Sequence, residues 1–274
     1  MACLKIAAVE DRLMMKVDIS GAFLTADIDD TQEVWLYIDS ELTPLIVKWK
    51  PEFKKFVHKD GSIVCKVLKG MYGLVQAAIL FYRKLTGHLE RHGFQKNPLD
   101  KCVMNRTIDG KQITILIHVD DLLVLAVEVE LLHSVRDILL EEFEKIEWKI
   151  ANEFTYLGML LQKVNNGFVL SMQYYIEQTL DFYTSGNADR LKTYVTPAKT
   201  DLYAEEGELV TTKAEMEKFH TTVAKLLYLG KRTRPEVLLA VQYLCTRVKN
   251  RTTGDFKKLE RVLGFLKLTK KKPF

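Results

Sequence analysis

The chain has 274 residues, 47% of them hydrophobic and 28% charged, a soluble mix with enough apolar material for one large domain or two modest ones. No apolar run reaches the ~18 residues that a membrane-spanning helix requires. The four cysteines, Cys3, Cys65, Cys102 and Cys245, include no CxxC pair, which argues against a disulfide framework or a structural zinc site and fits a reducing compartment.

In chain order, the N-terminal "MACLKIAAVEDRLMMKVD" meets Glu10 and Asp11 too early for a secretory signal, so an intracellular protein is expected. "MMKVDISGAFL" reads as a strand leading into a turn or short helix, "EVWLYID" as a strand of period two, and "SIVCKVLKGMYGL" as a strand ending in a glycine-marked turn. "VQAAILFYRKLTGHLERHG" reads as a helix, with Ala78, Phe81, Tyr82, Leu85 and Leu89 at helical spacing before a glycine stop. "ITILIHVDDLLVLAV" is two strands long, with acids at the bend. Leu131, Leu132, Val135, Ile138, Leu139, Phe143 and Ile146 form a helical stripe. "FTYLGMLLQKV" and "GFVLSM" frame "NNG", a hairpin turn. After Pro197 the chain turns helical: "TTKAEMEKFHTTVAKLLYLGKRT" with a threonine cap, "RPEVLLAVQYLCTRV" with proline in its first turn, and the basic, amphipathic "GDFKKLERVLGFLKLTKKK". Net charge is +4, yet Arg247 to Phe274 alone hold ten Lys or Arg against two acids, a local +8 on a body at −4. That asymmetry fits a polyanionic partner such as nucleic acid, and equally a solvated helix face.

Asp120 and Asp121 sit at the centre of the most apolar segment. Burial and like charge both oppose their ionisation, so something cationic must compensate there, unless the bend is a solvated turn whose acids merely cap. Asp18 stands at the end of another apolar strand. Were the strands neighbours, Asp18 and Asp120 could meet at one edge of a sheet, and three carboxylates at converging strand ends are what a two-metal phosphoryl-transfer site requires.

"VDISGAFL", "CKVLKGMYGLVQAAILFY", "HVDDLLV", "YLGMLL", "TPAKTDL" and "FHTTVAKLLYLGKRTRPEVLLAVQYL" occur in this order and together closely resemble the reverse transcriptases of Ty1/copia-type retrotransposons over nearly the whole chain. The resemblance implies an α+β fold: a polymerase palm, a ferredoxin-like antiparallel sheet backed by helices, with truncated fingers (1–162), then a connecting hairpin and helix (163–196) and a helical thumb-like module with a basic last helix (197–274). It implies RNA-directed DNA polymerase activity, in which a primer 3′-hydroxyl attacks a deoxynucleoside triphosphate. Asp18, Asp120, Asp121 and the carbonyl of Ile19 would hold two magnesium ions, with manganese a possible substitute. Phe23 would exclude a ribose 2′-hydroxyl, Gln76 would lie over the nucleotide, and Tyr72 and Gly73 would shape the turn before its helix. Tyr156, Leu157, Gly158 and Met159 would grip the primer terminus, and Lys257, Lys258, Arg261 and Lys267 would contact duplex phosphates. The implied partners are an RNA template, a DNA primer and dNTPs, with no membrane, in a cytoplasmic virus-like particle or a nucleus. RNase H and integrase would be other parts of a Pol polyprotein, outside this chain.

This sequence departs from the family pattern at His118, where a tyrosine is usual, at Val75, where a lysine is usual, and at Ala78 and Ile79, where a Pro-Arg pair is usual. Seventeen residues precede Asp18, so most of the fingers are expected to be missing, with no obvious replacement in Lys5, Arg12 or Lys16. These departures favour a rival reading, an inactive remnant that retains the fold and at most binds nucleic acid. His88 and His92 match neither HExxH nor HxxEH and read as solvated surface histidines, and His118 is expected on the same sheet face as Asp120.

Overall fold

The computed structural model describes residues 2–28, 33–165 and 167–273. It divides into two compact units, Glu10–Ala151 and Asn152–Phe274, the latter together with the N-terminal helix α1 (Ala2–Val9). The division falls at Ala151, ahead of the boundaries expected at 162 and 196.

In the first unit β1 (Leu13–Ile19) runs into the short helix α2 (Ala22–Thr25). A small two-stranded sheet of β2 (Trp35–Ile38) and β3 (Ile63–Lys66) follows, with α3 (Thr43–Trp49) between its strands. Then come α4 (Ala77–Arg91), β4 (Gln95–Lys96), β5 (Val103–Ile108), β6 (Lys111–His118), β7 (Asp121–Ala126), α5 (Val129–Glu142) and β8 (Ile146–Ile150). The main sheet has the order β4-β5-β6-β7-β1-β8 and is antiparallel throughout. Within it, β1-α4-β6-β7-α5-β8 is a split βαββαβ unit, the ferredoxin-like arrangement of a palm.

Period two explains the layering. Met15, Val17 and Ile19 of β1, Ile113, Ile115 and Ile117 of β6, and Leu122 and Val124 of β7 point to one face. There they bury Phe81, Leu85 and Leu89 of α4 and Leu132, Val135 and Leu139 of α5. Each such fully buried side chain contributes about 1.5–3 kcal/mol. Met14, Leu123 and Leu125, alternating onto the other face, are buried as well. The α4 stripe is shifted from expectation: Ala77 is buried and Ala78 exposed. The stripe assigned to one helix is broken too, because α5 stops at Glu142, Phe143 packs as its buried cap, and Ile146 opens β8, captured by backbone pairing with β1.

In the second unit β9 (Glu153–Tyr156), β10 (Met159–Val164) and β11 (Gly167–Ser171) form an antiparallel meander, with α1 against β11. Val164 pairs with Gly167, so the expected hairpin is present, although its Asn166 lies outside the described residues. Helices α6 (Gln173–Thr184), α7 (Lys213–Gly230), α8 (Leu238–Thr246) and α9 (Thr253–Thr269) follow. Thr212 occupies the N-cap of α7 without a side-chain bond. The working threonine cap is Thr252, in a capping box with buried Asp255 at the start of α9. Among the described residues no helix is long and apolar enough to cross a membrane.

Candidate active site

Strand register assembles the acids. Asp18 lies directly opposite Asp121 on β7 and, across the other side, opposite Glu147 on β8, while Asp121 lies opposite His118 on β6. Because directly opposed residues share a face, His118, Asp121, Asp18 and Glu147 form one row across four strands, on the face away from α4 and α5. Asp120 occupies the turn at the end of the row, and its carbonyl accepts the Ile19 amide at 3.2 Å. His118 therefore shares its face with Asp121. Asp120 falls in the two-residue turn, where strand alternation no longer applies, which corrects the pairing expected from spacing alone.

That turn is strained. Val119 has φ +57°, whereas Asp120 does not share the positive φ, the pattern of a hairpin turn that favours glycine at its first central position. A β-branched residue there stores energy, of order 1–3 kcal/mol for such conformations, and the flanking ladder holds it in place. Electrostatic stress accompanies it. Burial first, then the charges of Asp120 and Asp121, and finally that of Glu147, push the Asp18 carboxyl above its ordinary range, against a smaller opposing pull from Lys16. Lys16, two residues before Asp18 on the same face, reaches Asp121 Oδ1 at 3.1 Å. That buried oxygen accepts no well-formed hydrogen bond.

The three aspartate carboxylates are neighbours: Asp120 and Asp121 both raise the Asp18 carboxyl, while Lys16 pairs with Asp121 at 3.1 Å. Their chemistry nonetheless fits a hard divalent cation: oxygen donors only, partly desolvated, mutually repelling, one of them buried without a hydrogen bond. Glu147 escaped the sequence reading, since only the strand order brings it to Asp18, as it does the pairing of Lys16 with Asp121.

Phe23 on α2 is half-buried, edge-on to Tyr72 with ring centroids 4.8 Å apart and 6.5 Å from Phe81. Gly70 permits this placement. A Cβ on it would lie 2.6 Å from the Phe23 carbonyl oxygen, and its amide donates to Ala26 O at 2.8 Å. No expectation singled it out, though "KGMYG" carried the glycine signal. Gly73 has φ +97° in the turn before α4, Tyr72 is exposed, and half-buried Gln76 is the N-cap of α4 without capping it through its side chain. Ile19 is buried. Val75 and Ile79, where the family has lysine and arginine, and Ala78, where it has proline, are exposed apolar residues. Arg12 is buried, donating to Thr114 Oγ1 at 2.8 Å and Gln112 Oε1 at 2.9 Å, so it offers no free charge.

In the second unit, Tyr156 pairs with Met159 across the turn Leu157–Gly158, where both residues have positive φ (+49° and +72°). Tyr228 Oη donates to Leu157 O at 3.0 Å and would lie 3.3 Å from a Cβ at Gly158. Of the four cations singled out on α9, three are occupied within this unit. Lys258 bonds to Ala204 O, Arg261 Nη2 to Thr196 Oγ1 at 2.8 Å, and Lys267 to Leu191 O at 3.3 Å. They fasten α9 to the preceding loop, whereas Lys257 is exposed.

Comparisons with known proteins agree with the motifs. The family described as "Reverse transcriptase (RNA-dependent DNA polymerase)" matches residues 2–197. The chain is 25% identical over 272 residues, 97% of its length, to the "Retrovirus-related Pol polyprotein from transposon TNT 1-94" of Nicotiana tabacum. It is 32% identical over 77% of its length to the corresponding polyprotein from transposon RE1 of Arabidopsis thaliana, and 28% identical over 92% to that from transposon RE2. It spans only 19%, 14% and 16% of those relatives. Among solved structures, an apo telomerase from Candida tropicalis superposes with a TM-score of 0.35 at 11% identity, covering 61% of this chain and 38% of that one. That superposition is too loose to bear on the fold, which the strand order establishes.

Proposed function

Because the chain belongs to the reverse transcriptase (RNA-dependent DNA polymerase) family, of the Ty1/copia type, we propose that it extends a primer 3′-hydroxyl with dNTPs on an RNA template. The observation that carries this reading is the register that sets Asp18 beside Asp121, with Asp120 in the adjoining turn. Asp18, Asp120, Asp121 and the Ile19 carbonyl would hold two magnesium ions, or manganese, which when bound would activate the attacking hydroxyl and neutralise the triphosphate. The chain's own residues do the rest. Lys16 pairs with Asp121 at 3.1 Å and would have to yield that carboxylate to the ions. Phe23 stands against the sugar and leaves no room for a 2′-hydroxyl, Tyr72 supports its ring, and Gln76 lies over the nucleotide. The Tyr156–Met159 hairpin steadies the primer end, and Lys257 meets duplex phosphates. The chain spans about a fifth or less of the Pol polyproteins it matches. RNase H and integrase functions would belong to other parts of such a polyprotein, working with it in a virus-like particle or a nucleus.

The test is magnesium-dependent incorporation on poly(rA)·oligo(dT), with Asp120→Asn as control. Incorporation that the substitution abolishes supports the polymerase. Salt-sensitive duplex binding without incorporation establishes the inactive remnant, the reading favoured by exposed Val75 and Ile79 where the family has cations. In an active enzyme, Phe23→Ala should reduce discrimination against ribonucleotides by about tenfold or more. Unchanged discrimination in a misincorporation assay removes Phe23 from this role.

A further inference from the structure

Far along α4 from Gln76, the sheet's helical backing holds a cluster that the polymerase reading does not use. His88 lies in the last turn of α4, His92 caps it, and Glu141 lies in the last turn of α5. The pair read from sequence as two solvated histidines is something else: His88 is 4% exposed, because its helix face packs on α5, and the two rings stand 4.8 Å apart. One ligand atom can be taken from each of His88, His92 and Glu141 so that all three lie within 4.8 Å of one another.

The hydrogen bonds decide which atoms are available. His88 Nε2 lies 2.6 Å from the Ile138 carbonyl, which can only accept, so Nε2 carries a proton and Nδ1, between Arg91 Nη2 at 3.3 Å and Glu142 Oε2 at 3.4 Å, is the nitrogen a metal would take. A backbone carbonyl that fixes the tautomer of a histidine in this way is the usual outer support of a metal-binding imidazole. Glu142 is already neutralised by Lys84 at 3.1 Å and Arg91 at 3.3 Å. Among the described residues Glu141 pairs with His92, whose Nε2 is 3.1 Å from its carboxylate. Two helix C-termini also meet here, and each carries partial negative charge that favours a cation. Two imidazoles and one carboxylate, with room for water at an exposed edge, suit a borderline transition metal rather than magnesium.

We propose that His88, His92 and Glu141 form a zinc-class divalent site that clasps the C-terminal ends of α4 and α5 together. The clasp is structural, independent of the aspartate row, and needs no cysteine, the residue whose spacing would have signalled zinc in the sequence. Arg91 Nη2, 3.3 Å from His88 Nδ1, must swing aside on binding, which its exposed side chain allows.

The test uses the full chain, stripped of metal with a chelator and titrated with cobalt(II) as a spectroscopic stand-in for zinc. Wild-type protein should take up one equivalent with visible d–d absorption and no thiolate charge-transfer band, and zinc should raise its melting temperature. His92→Ala and Glu141→Gln alter exposed or half-exposed positions, so they should fold as the parent does, checked by circular dichroism, and lose both the absorption and the zinc-dependent shift. Absence of the band in wild-type protein, or its persistence in both variants, overturns the proposal and leaves His92–Glu141 an ion pair. Loss of primer extension in Asp120→Asn leaves these readouts unmoved, so the two sites fail or stand separately.

Discussion

At the scale of single residues, the acid row is a place where local stability and chemistry oppose each other. Asp18 has its carboxyl raised above the ordinary value of 3.8 by burial and by the neighbouring carboxylates. The unfolded chain therefore releases this proton first as pH rises, and folding stability declines between that value and the raised one and stays reduced above it. Asp18→Asn removes the penalty. Thermal melts without divalent ions should show the variant more stable than the parent at neutral pH, with the gap closing as pH falls towards 3.8. Magnesium should raise the parent's melting temperature and the variant's much less. Equal melting temperatures across the pH series would show that Asp18 is not under stress. Val119 is the second case: Val119→Gly should stabilise the protein by about 1 kcal/mol in denaturant titration, by relieving its positive φ. Because the turn then holds Asp120 less firmly, incorporation should fall despite the gain in stability.

At the scale of elements, the strands around the acids were legible because their composition and period left few alternatives. "MMKVDISGAFL" had to be a strand before a turn, and "ITILIHVDDLLVLAV" two strands about a bend. Helix α5 was legible to Glu142, whereas Phe143 and Ile146 continued the apolar spacing by accident, since what ends the helix is tertiary pairing of β8 with β1. The N-cap of α7 misled for a similar reason: a threonine in position need not turn its hydroxyl to the helix. At α9 the cap is real, and Asp255, 1% exposed, accepts from Thr252 and from Arg247 Nε at 3.1 Å. Asp255→Ala removes the capping carboxylate and one of two carboxylates on Arg247, which keeps Glu205 at 2.6 Å, and should cost about 1–2 kcal/mol in denaturant titration. A cost within experimental error would mean that the cap and ion pair contribute nothing to the helical unit.

Over the whole molecule, sequence reading succeeded where chemistry is carried by residue type and order, and failed where it depends on which strands are neighbours. The three aspartates were identifiable. Glu147 was not, because a glutamate in an amphipathic strand looks like any solvated acid until the β7-β1-β8 order is known. Lys258, Arg261 and Lys267 each hydrogen-bond within their own unit, whereas Lys257 is exposed. Lys257→Gln should therefore weaken duplex binding, lower its salt slope by about 1 and leave the melting temperature unchanged, whereas Lys258→Gln should lower the melting temperature. The reverse pattern in paired filter-binding and melting experiments would show that the exposed lysine is idle. The position of β1 carries a cost in time. Among the described residues it pairs with β7 and β8, so a ribosome must deliver residues 121–150 before the strand holding Asp18 meets these neighbours. Until then a freshly synthesised N-terminal half presents a sticky, unpaired ribbon. Slower folding than in a sheet of sequential hairpins is the natural outcome of a strand that is paired so late.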